Sequence, residues 1–308
     1  MEEELKLRKQ KIRSGARAAF IFVVFTVGVS QILSMILPFV PSRICEVIGM
    51  ILGTVVVLNG SCKPENGTLF QEKNKLSGTG FVVLLGAFMA AKLLSLIPSA
   101  ALLKLFVNEE NAGTLQGLDT IGDSVFLSFI FLGVVTPFCE EAVFRGCIGN
   151  AFKKYGIWFA MLMSTLFFSL YHCNLFQLVS TFLPGIVLFY VAMNYSIKWS
   201  MLFHFINNGV LTVGFIALNK IIPNTFIADY GEYIIEAVLV IAALYLLKKD
   251  HAFEKVKSFL LEPKNEKGVY RAAMGNIWFI LLILALVIVT AMMLLMLNGS
   301  LPDVSTIS

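Results

Sequence analysis

Nine apolar stretches, most of them long enough for a helix to cross a lipid bilayer, constrain this chain more than any other feature. A hydrocarbon core of about 30 Å needs roughly 20 apolar residues in a helix. The predicted spans are residues 16–40, 44–58, 80–106, 124–149, 156–172, 175–195, 199–218, 233–247 and 276–297. The second and eighth are short enough to be partial or re-entrant segments. The sequence therefore predicts an all-α polytopic membrane protein with eight or nine transmembrane helices.

Composition supports this fold class and limits the number of domains. Of the 308 residues, 57% are hydrophobic and only 14% are charged, whereas soluble domains have about 25% charged residues. No long hydrophilic block remains to fold separately, so residues 1–308 are predicted to form a single membrane domain with a C-terminal transmembrane helix over 275–297. Five cysteines without a CxxC pair indicate neither a disulfide framework nor a zinc knuckle.

The basic residues lie beside the apolar spans, and they indicate sidedness. The net charge is only +4, and this placement favours membrane lipids as partners; nucleic acid is not expected. Placing the N-terminal arm in the cytoplasm also puts the basic 248–273 loop there and leaves the acidic loop near 109–123 outside. The sequence thus predicts an integral protein of a prokaryotic cytoplasmic membrane with a cytoplasmic N-terminus. The basic residues of the arm are Lys6, Arg8, Lys9, Lys11, Arg13 and Arg17.

Ionisable residues inside a span are functional candidates, because each costs about 2.5–3.5 kcal/mol near the centre of a membrane helix. Lys92 lies in the third span, where it is predicted to reach an interface with its long side chain or to form a structural ion pair. Glu46 and Glu236 lie near the ends of the two short spans and are predicted to be interfacial.

The fourth span ends with two acids and an arginine. On a helix, Glu141 and Arg145 are four residues apart and can pair. Glu140 points about 100° away and has no partner in its own helix. Pro137 removes a backbone hydrogen bond just before it, which loosens the helix where a polar cavity would open. The alternative, that both acids belong to a cytoplasmic helix end, stays open at this point.

The chain has three histidines, and two of them lie in or at the ends of apolar spans. Phe168 and His172 are four residues apart and share a face of the fifth span. His204 and Asn208 have the same spacing in the seventh. His251 lies in the basic loop and is predicted to be solvated. One membrane histidine is more often a helix–helix hydrogen bonder, but two of them with an unpaired acid and an amide indicate a site.

Depth decides whether these side chains can meet. Counting from the turn near Lys154 at about 1.5 Å per residue, Glu140 and His172 lie within about 5–8 Å of each other in height. His204 follows Trp199 by only five residues. The seventh helix must therefore begin deep, or the turn before it must dip inward.

Taken in order, these residues resemble the CPBP family of intramembrane proteases, which includes the type II CAAX prenyl endopeptidase and bacterial Abi proteins. The resemblance covers residues 79–218, the third to seventh spans, which are predicted to be the catalytic core. The family's motifs EExxxR, FxxxH and HxxxN are matched by Glu140-Glu141…Arg145, Phe168…His172 and His204…Asn208.

This resemblance implies an endopeptidase acting on a membrane-associated peptide or protein, either prenylated or bacteriocin-like, without a required cofactor. It implies that Glu140 activates water with the help of His172. It also implies that His204 and Asn208 form the oxyanion hole. The implied supporting residues are Glu141, Arg145 and Phe168.

Alternatives remain at this stage. Glu140, His172 and His204 could bind zinc, as the metalloprotease-like label of the family suggests, but no HExxH occurs and metal-free catalysis is favoured. Catalysis by Cys139 or Cys173 is disfavoured, because neighbours on a helix point about 100° apart. A transporter would more often show inverted repeats. A non-catalytic immunity or regulatory protein of the same fold is also open.

Overall fold

The computed structural model describes residues 2–60, 69–107, 124–247, 252–261 and 266–297. These residues form eleven helices and no strand. Helix α1 runs from Glu2–Val23 through a π-helical stretch, Val24–Val29, into Ser30–Ile36. The others are α2 (Ser42–Asn59), α3 (Gly78–Phe106), α4 (Val125–Lys153), α5 (Ile157–Tyr171), α6 (Leu175–Asn194), α7 (Ile197–Ile221), α8 (Phe226–Leu246), α9 (Ala252–Leu260), α10 (Val269–Met274) and α11 (Ile277–Leu297).

Seven helices in the described residues are long and apolar enough to cross a membrane, namely α1 to α4, α6, α7 and α11. Helix α5 is apolar but shorter. Helix α8 has 21 residues and carries three acids. With these two, nine helices correspond to the nine predicted spans. The predicted fold class, an all-α polytopic membrane protein, is confirmed, and the chain is an integral membrane protein.

Two details of the prediction were wrong. The eighth span was expected to begin at residue 233, but α8 begins at Phe226, because acids in its first turns hid those turns from a search for apolar residues. The basic 248–273 segment is not only a loop, since it contains α9 and α10. His251 and the acidic loop near 109–123 lie outside the described residues.

A partly buried ion cluster joins α3 to α8. The Lys92 ammonium lies 2.7 Å from Glu232 Oε1 and 2.6 Å from Glu236 Oε1. Thr212 on α7 donates a hydrogen bond of 3.2 Å to the same Glu232 oxygen. Of the two outcomes predicted for Lys92, the ion pair is therefore the one found. The Glu236 side chain is 0% exposed, and its cation partner, Lys92, comes from α3. Its interfacial position stays a prediction.

Glycines allow the backbones of two helix pairs to approach closely. A Cβ atom on Gly86 of α3 would lie 2.5 Å from the Leu239 carbonyl oxygen of α8. A Cβ atom on Gly133 of α4 would lie 2.8 Å from the Cα atom of Gly209 on α7. The second contact brings α4, which carries Glu140, close to α7, which carries the HxxxN motif.

The turn between α6 and α7 is covered by the segment that precedes α3. The Lys73 amide donates to the Tyr195 carbonyl at 2.8 Å, and Asn74 Nδ2 donates to the Asn194 carbonyl at 2.7 Å. Tyr195 is itself only 4% exposed. The turn therefore lies inside the protein, which lets α7 begin deep enough for His204 to reach the level of Glu140.

Candidate active site

The EExxxR segment lies where α4 changes its helical form. Residues Thr136–Glu140 are α-helical, and a π-helical stretch, Glu141–Gly149, follows directly. Pro137 has no amide hydrogen to donate, which favours an irregular helix at this point, and such π-helical turns are frequent at functional sites. Glu140, Glu141 and Arg145 are all buried, with 2%, 0% and 0% exposure.

Glu141 is the centre of a fully buried polar cluster. Arg145 Nη1 lies 2.8 Å from Glu141 Oε1, which confirms the predicted pair. The Ser200 hydroxyl donates to Glu141 Oε2, and His204 Nδ1 lies 3.2 Å from Glu141 Oε1. Both carboxylate oxygens are therefore occupied. A buried charge with this many partners is fixed in position, so Glu141 anchors the side chains around it.

Arg145 is held from the other side by α5 and α6. Its Cζ atom lies 4.2 Å from the centre of the Phe168 ring, a cation–π contact. Its Nη2 atom donates to the Gly185 carbonyl at 3.1 Å. A Cβ atom on Gly185 would come within 3.1 Å of the same nitrogen, so glycine leaves room for the guanidinium. Phe168 thus supports Arg145 as well as sharing a helix face with His172.

His204 lies between the two motif glutamates. Its Nδ1 atom faces Glu141, and its Nε2 atom is 3.7 Å from Glu140 Oε2. A carboxylate paired with arginine only accepts hydrogen bonds, so the proton on this ring belongs on Nδ1. The Glu141 contact therefore sets the tautomer of His204 and directs Nε2 toward Glu140.

His172 follows the last residue of α5, and its ring faces a backbone carbonyl where that of His204 faces a carboxylate. Its Nδ1 atom lies 2.9 Å from the Phe168 carbonyl oxygen. A carbonyl oxygen can only accept a hydrogen bond, so Nδ1 carries the ring proton. The Nε2 lone pair is then free to accept a hydrogen bond. The ring also contacts the edge of Phe168, with 5.0 Å between ring centres. The next residue, Cys173, has a left-handed backbone (φ 49°), which ends the helix directly after the histidine.

The four residues predicted to carry the chemistry line one cavity of about 400 Å³: Glu140, His172, His204 and Asn208. Glu140 Oε2 is buried and has no hydrogen-bond partner among the described residues. It is therefore a carboxylate oxygen in a polar cavity with its hydrogen-bonding capacity unused. The structure brings the four side chains together, and their individual roles stay predictions.

Three further side chains at this site were missed by the sequence reasoning. Ser200 is four residues before His204, so extending the same helical spacing by one turn would have found it. Tyr171 precedes His172, and its hydroxyl lies beside the Glu140 carboxyl group. Asn207 lines the cavity next to Asn208, but nothing in a single sequence distinguishes it from a turn-favouring asparagine.

The alternatives involving a metal or a cysteine can be compared with this geometry. No three His, Cys, Asp or Glu side chains in the described residues are grouped so that they could hold a metal ion. The zinc alternative built on Glu140, His172 and His204 stays an untested prediction. Cys139 and Cys173 are buried free thiols, and neither contributes to the described lining of the cavity.

Comparison with known proteins identifies one family. The family model described as type II CAAX prenyl endopeptidase Rce1-like matches residues 122–210. The match covers less than a third of the chain, but it includes all three motifs and every residue of the predicted catalytic set. The resemblance inferred from the motifs is thereby confirmed. No curated protein and no solved structure gives a match.

Proposed function

We propose that this Rce1-like chain is an intramembrane endopeptidase that uses Glu140 to activate water. One observation carries the proposal: a buried carboxylate oxygen without a hydrogen-bond partner in the described residues lies in a cavity that two histidines and an asparagine also line. A buried carboxylate oxygen that lacks a hydrogen-bond donor is costly. A water molecule bound in the cavity would offset that cost, and it would be the nucleophile.

The first step is attack of water on the carbonyl carbon of the peptide bond. Glu140 takes one proton from the water, and the oxygen of the water forms the new bond to the carbonyl carbon. His172 would accept a hydrogen bond from the same water, because its Nδ1–H is bound to the Phe168 carbonyl and its Nε2 lone pair is free for this purpose. The attack converts the carbonyl oxygen into an oxyanion.

The oxyanion requires donors that are already in position. Asn208 would supply an amide N–H. His204 would supply Nε2–H in its doubly protonated form, in which Nδ1–H remains on Glu141. The Glu141 carboxylate, which Arg145 also contacts, would stabilise the imidazolium by accepting its Nδ1–H. This division of labour accounts for two adjacent glutamates, one as the base and the other as the anchor of the histidine.

The tetrahedral intermediate then breaks down. The C–N bond breaks, and the proton held by Glu140 passes to the leaving nitrogen. The products are a carboxylic acid and an amine, so one water is consumed and Glu140 returns to its starting form. No redox partner is needed. His172 and His204 would thus act on different groups during the attack, the first on the water and the second on the oxyanion.

Replacing Glu140 with glutamine tests the proposal. Loss of a general base lowers rates about 10²- to 10⁴-fold, so Glu140→Gln should abolish product peptides in membranes that express the full chain. Mass spectrometry of membrane peptides from wild type and variant detects this difference whatever the substrate is. A matched control is Glu46→Gln, which alters an acid that is paired with Arg43 at 2.6 Å. Equal product from wild type and Glu140→Gln would refute the proposal.

Two additional arms sharpen the result. Cleavage of a peptide ending in a farnesylated CAAX sequence would assign a prenylated substrate, whereas products only from unmodified peptides would favour bacteriocin-like precursors. Treatment with a zinc chelator should leave activity unchanged. Inactivation that added zinc reverses would instead support the zinc alternative, with Glu140, His172 and His204 as ligands.

A further inference from the structure

We propose that Asn207 is a positioning residue that fixes the orientation of the Asn208 side-chain amide. The inference rests on the proposed function, because it concerns which end of Asn208 faces a developing oxyanion. Asn207 Nδ2 lies 2.8 Å from Asn208 Oδ1 and donates to it. The contact occupies the Asn208 oxygen and leaves the Asn208 NH₂ group as the end available to a ligand.

An asparagine amide has two ends of nearly equal size and opposite hydrogen-bonding character. Rotation by 180° would present a carbonyl oxygen, which repels an oxyanion, in place of an N–H donor. Donors contribute most when they are in place before charge develops, since no reorganisation is then needed. A side chain that binds the Asn208 oxygen therefore selects the catalytically useful orientation.

The backbone explains how adjacent residues can both face the cavity. Both asparagines belong to a π-helical stretch, Ile206–Val213, and both line the cavity. A π-helical turn is wider than an α-helical one, so neighbouring side chains diverge by less than the usual 100° or so. The contact between Gly209 and Gly133 fixes this stretch against α4. The stretch that carries both asparagines is thereby packed against α4.

The hydrogen bonds of Asn207 indicate a local role. Asn208 is its only side-chain partner in the described part of the chain, and Asn207 Oδ1 is buried without a partner there. Asn207 therefore forms no side-chain hydrogen bond between described helices. Its unused oxygen can accept a peptide N–H from a substrate in the cavity.

A double-mutant cycle in the full chain tests the inference. Removing one oxyanion-hole donor costs about 10²- to 10³-fold in kcat, which sets the expectation for Asn208→Ala. Asn207→Ala should lower kcat by about 10-fold, because it only releases the donor. The variant carrying both changes should match Asn208→Ala, since a residue acting through Asn208 has nothing to orient once that amide is gone. Additive losses, or an Asn207→Ala variant equal to wild type, would overturn the inference.

Asn207→Asp supplies a second criterion. Aspartate keeps the size of the side chain but only accepts hydrogen bonds when ionised, so it would bind the Asn208 NH₂ group and turn the Asn208 oxygen toward the cavity. Positioning therefore predicts that Asn207→Asp is at least as impaired as Asn207→Ala. If Asn207 merely fills space, the aspartate variant should be the milder one. Asn219→Ala is the matched control, because this asparagine lies on the same helix and bonds to Asp229 instead.

Activity is measured as the Glu140-dependent product defined above, and thermal unfolding confirms that each variant is folded. If wild type forms no more product than Glu140→Gln, the proposed function fails and the inference fails with it. If product depends on Glu140 but not on Asn207, only the inference fails. If Asn207→Ala does not fold, comparing Asn207→Asp with Asn207→Asp/Asn208→Ala closes the cycle in the same way.

Discussion

Two charged clusters lie in this membrane protein, one buried and one partly exposed, and they have different compositions and different neighbours. The Glu141 cluster consists of Glu141, Arg145, Ser200 and His204. The Lys92 cluster consists of Lys92, Glu232, Glu236 and Thr212. The first holds a histidine that faces Glu140. The second joins helices α3, α7 and α8 and leaves one oxygen of Glu236 without a partner in the described residues.

The two clusters therefore use ionised side chains within the membrane protein in two different ways. An ionised group inside the membrane has to be paired, and in both places pairing fixes helices against each other. Only the Glu141 cluster extends to a side chain of the proposed reaction. The family match, over residues 122–210, includes the whole Glu141 cluster. All four residues of the Lys92 cluster lie outside it. We expect changes in the first cluster to affect activity and stability together. Changes in the second should act mainly on stability, and Lys92 is its one member that also lines the cavity in the described residues.

Replacing Arg145 with leucine should have the largest effect on stability. It leaves Glu141 as a buried charge without a cation, a change that costs about 3–5 kcal/mol in the free energy of unfolding. Activity should also fall, because the carboxylate that holds His204 is no longer fixed. Denaturant titration in mixed micelles measures the first effect, and product formation measures the second.

The double variant Glu141→Gln/Arg145→Leu is the control for this change. Removing both charges should restore most of the stability, but not the activity, because a neutral amide does not balance the charge of a protonated His204. Recovery of both properties would contradict the role assigned to Glu141.

Replacing Lys92 with methionine should have a smaller effect on stability. It leaves two carboxylates without their cation, but the Glu232 side chain is 20% exposed, so we expect a loss of about 1–3 kcal/mol. The kcat of the folded fraction should stay close to that of wild type. The control adds Glu232→Gln and Glu236→Gln, which remove the excess charge and should recover stability. A large loss of kcat in a stable Lys92→Met protein would show that Lys92 contacts the substrate.

Replacing Ser200 with alanine should have the smallest effect. It removes one hydrogen bond to Glu141, which corresponds to about 1 kcal/mol of stability, and it should lower kcat severalfold by loosening the anchor of His204. Ser164→Ala is matched to it, since Ser164 is equally buried and bonds to the Phe144 carbonyl at 2.6 Å. If both variants lose the same activity, Ser200 has no special part in positioning His204.

The two clusters also differ in how far the sequence predicts them. The spans and the Glu141–Arg145 pair follow from local patterns, namely long apolar runs and a spacing of four residues on one helix. The pairing of Lys92 with Glu236 does not, because 144 positions separate the partners along the chain and no local pattern connects them. Glu236 is therefore interpreted from its own surroundings alone, which predict an interfacial position.

The catalytic set illustrates the same boundary within one site. Glu140, His172, His204 and Asn208 were recognised because they recur as spaced motifs. The contact that sets the tautomer of His204 joins it to Glu141 on another helix, and no local pattern predicts it. The contact that sets the tautomer of His172 lies within α5, but its geometry also has to be read from coordinates. The same holds for Asn207, whose partner is its immediate neighbour and whose importance depends on the π-helical form of the backbone.

The meeting of Gly133 and Gly209 has a consequence for how this protein can vary. Helix α4 carries the proposed base and α7 carries the proposed oxyanion donors. The absence of side chains at this contact sets their spacing, since a single methyl group would push the two helices apart. Residues elsewhere in the cavity wall can change size and so change the shape of an accepted substrate. The contact between Gly133 and Gly209 meanwhile keeps the proposed reacting groups at the same distance from each other. We therefore expect substitutions elsewhere in the cavity wall to change substrate preference without changing the geometry of the proposed reaction.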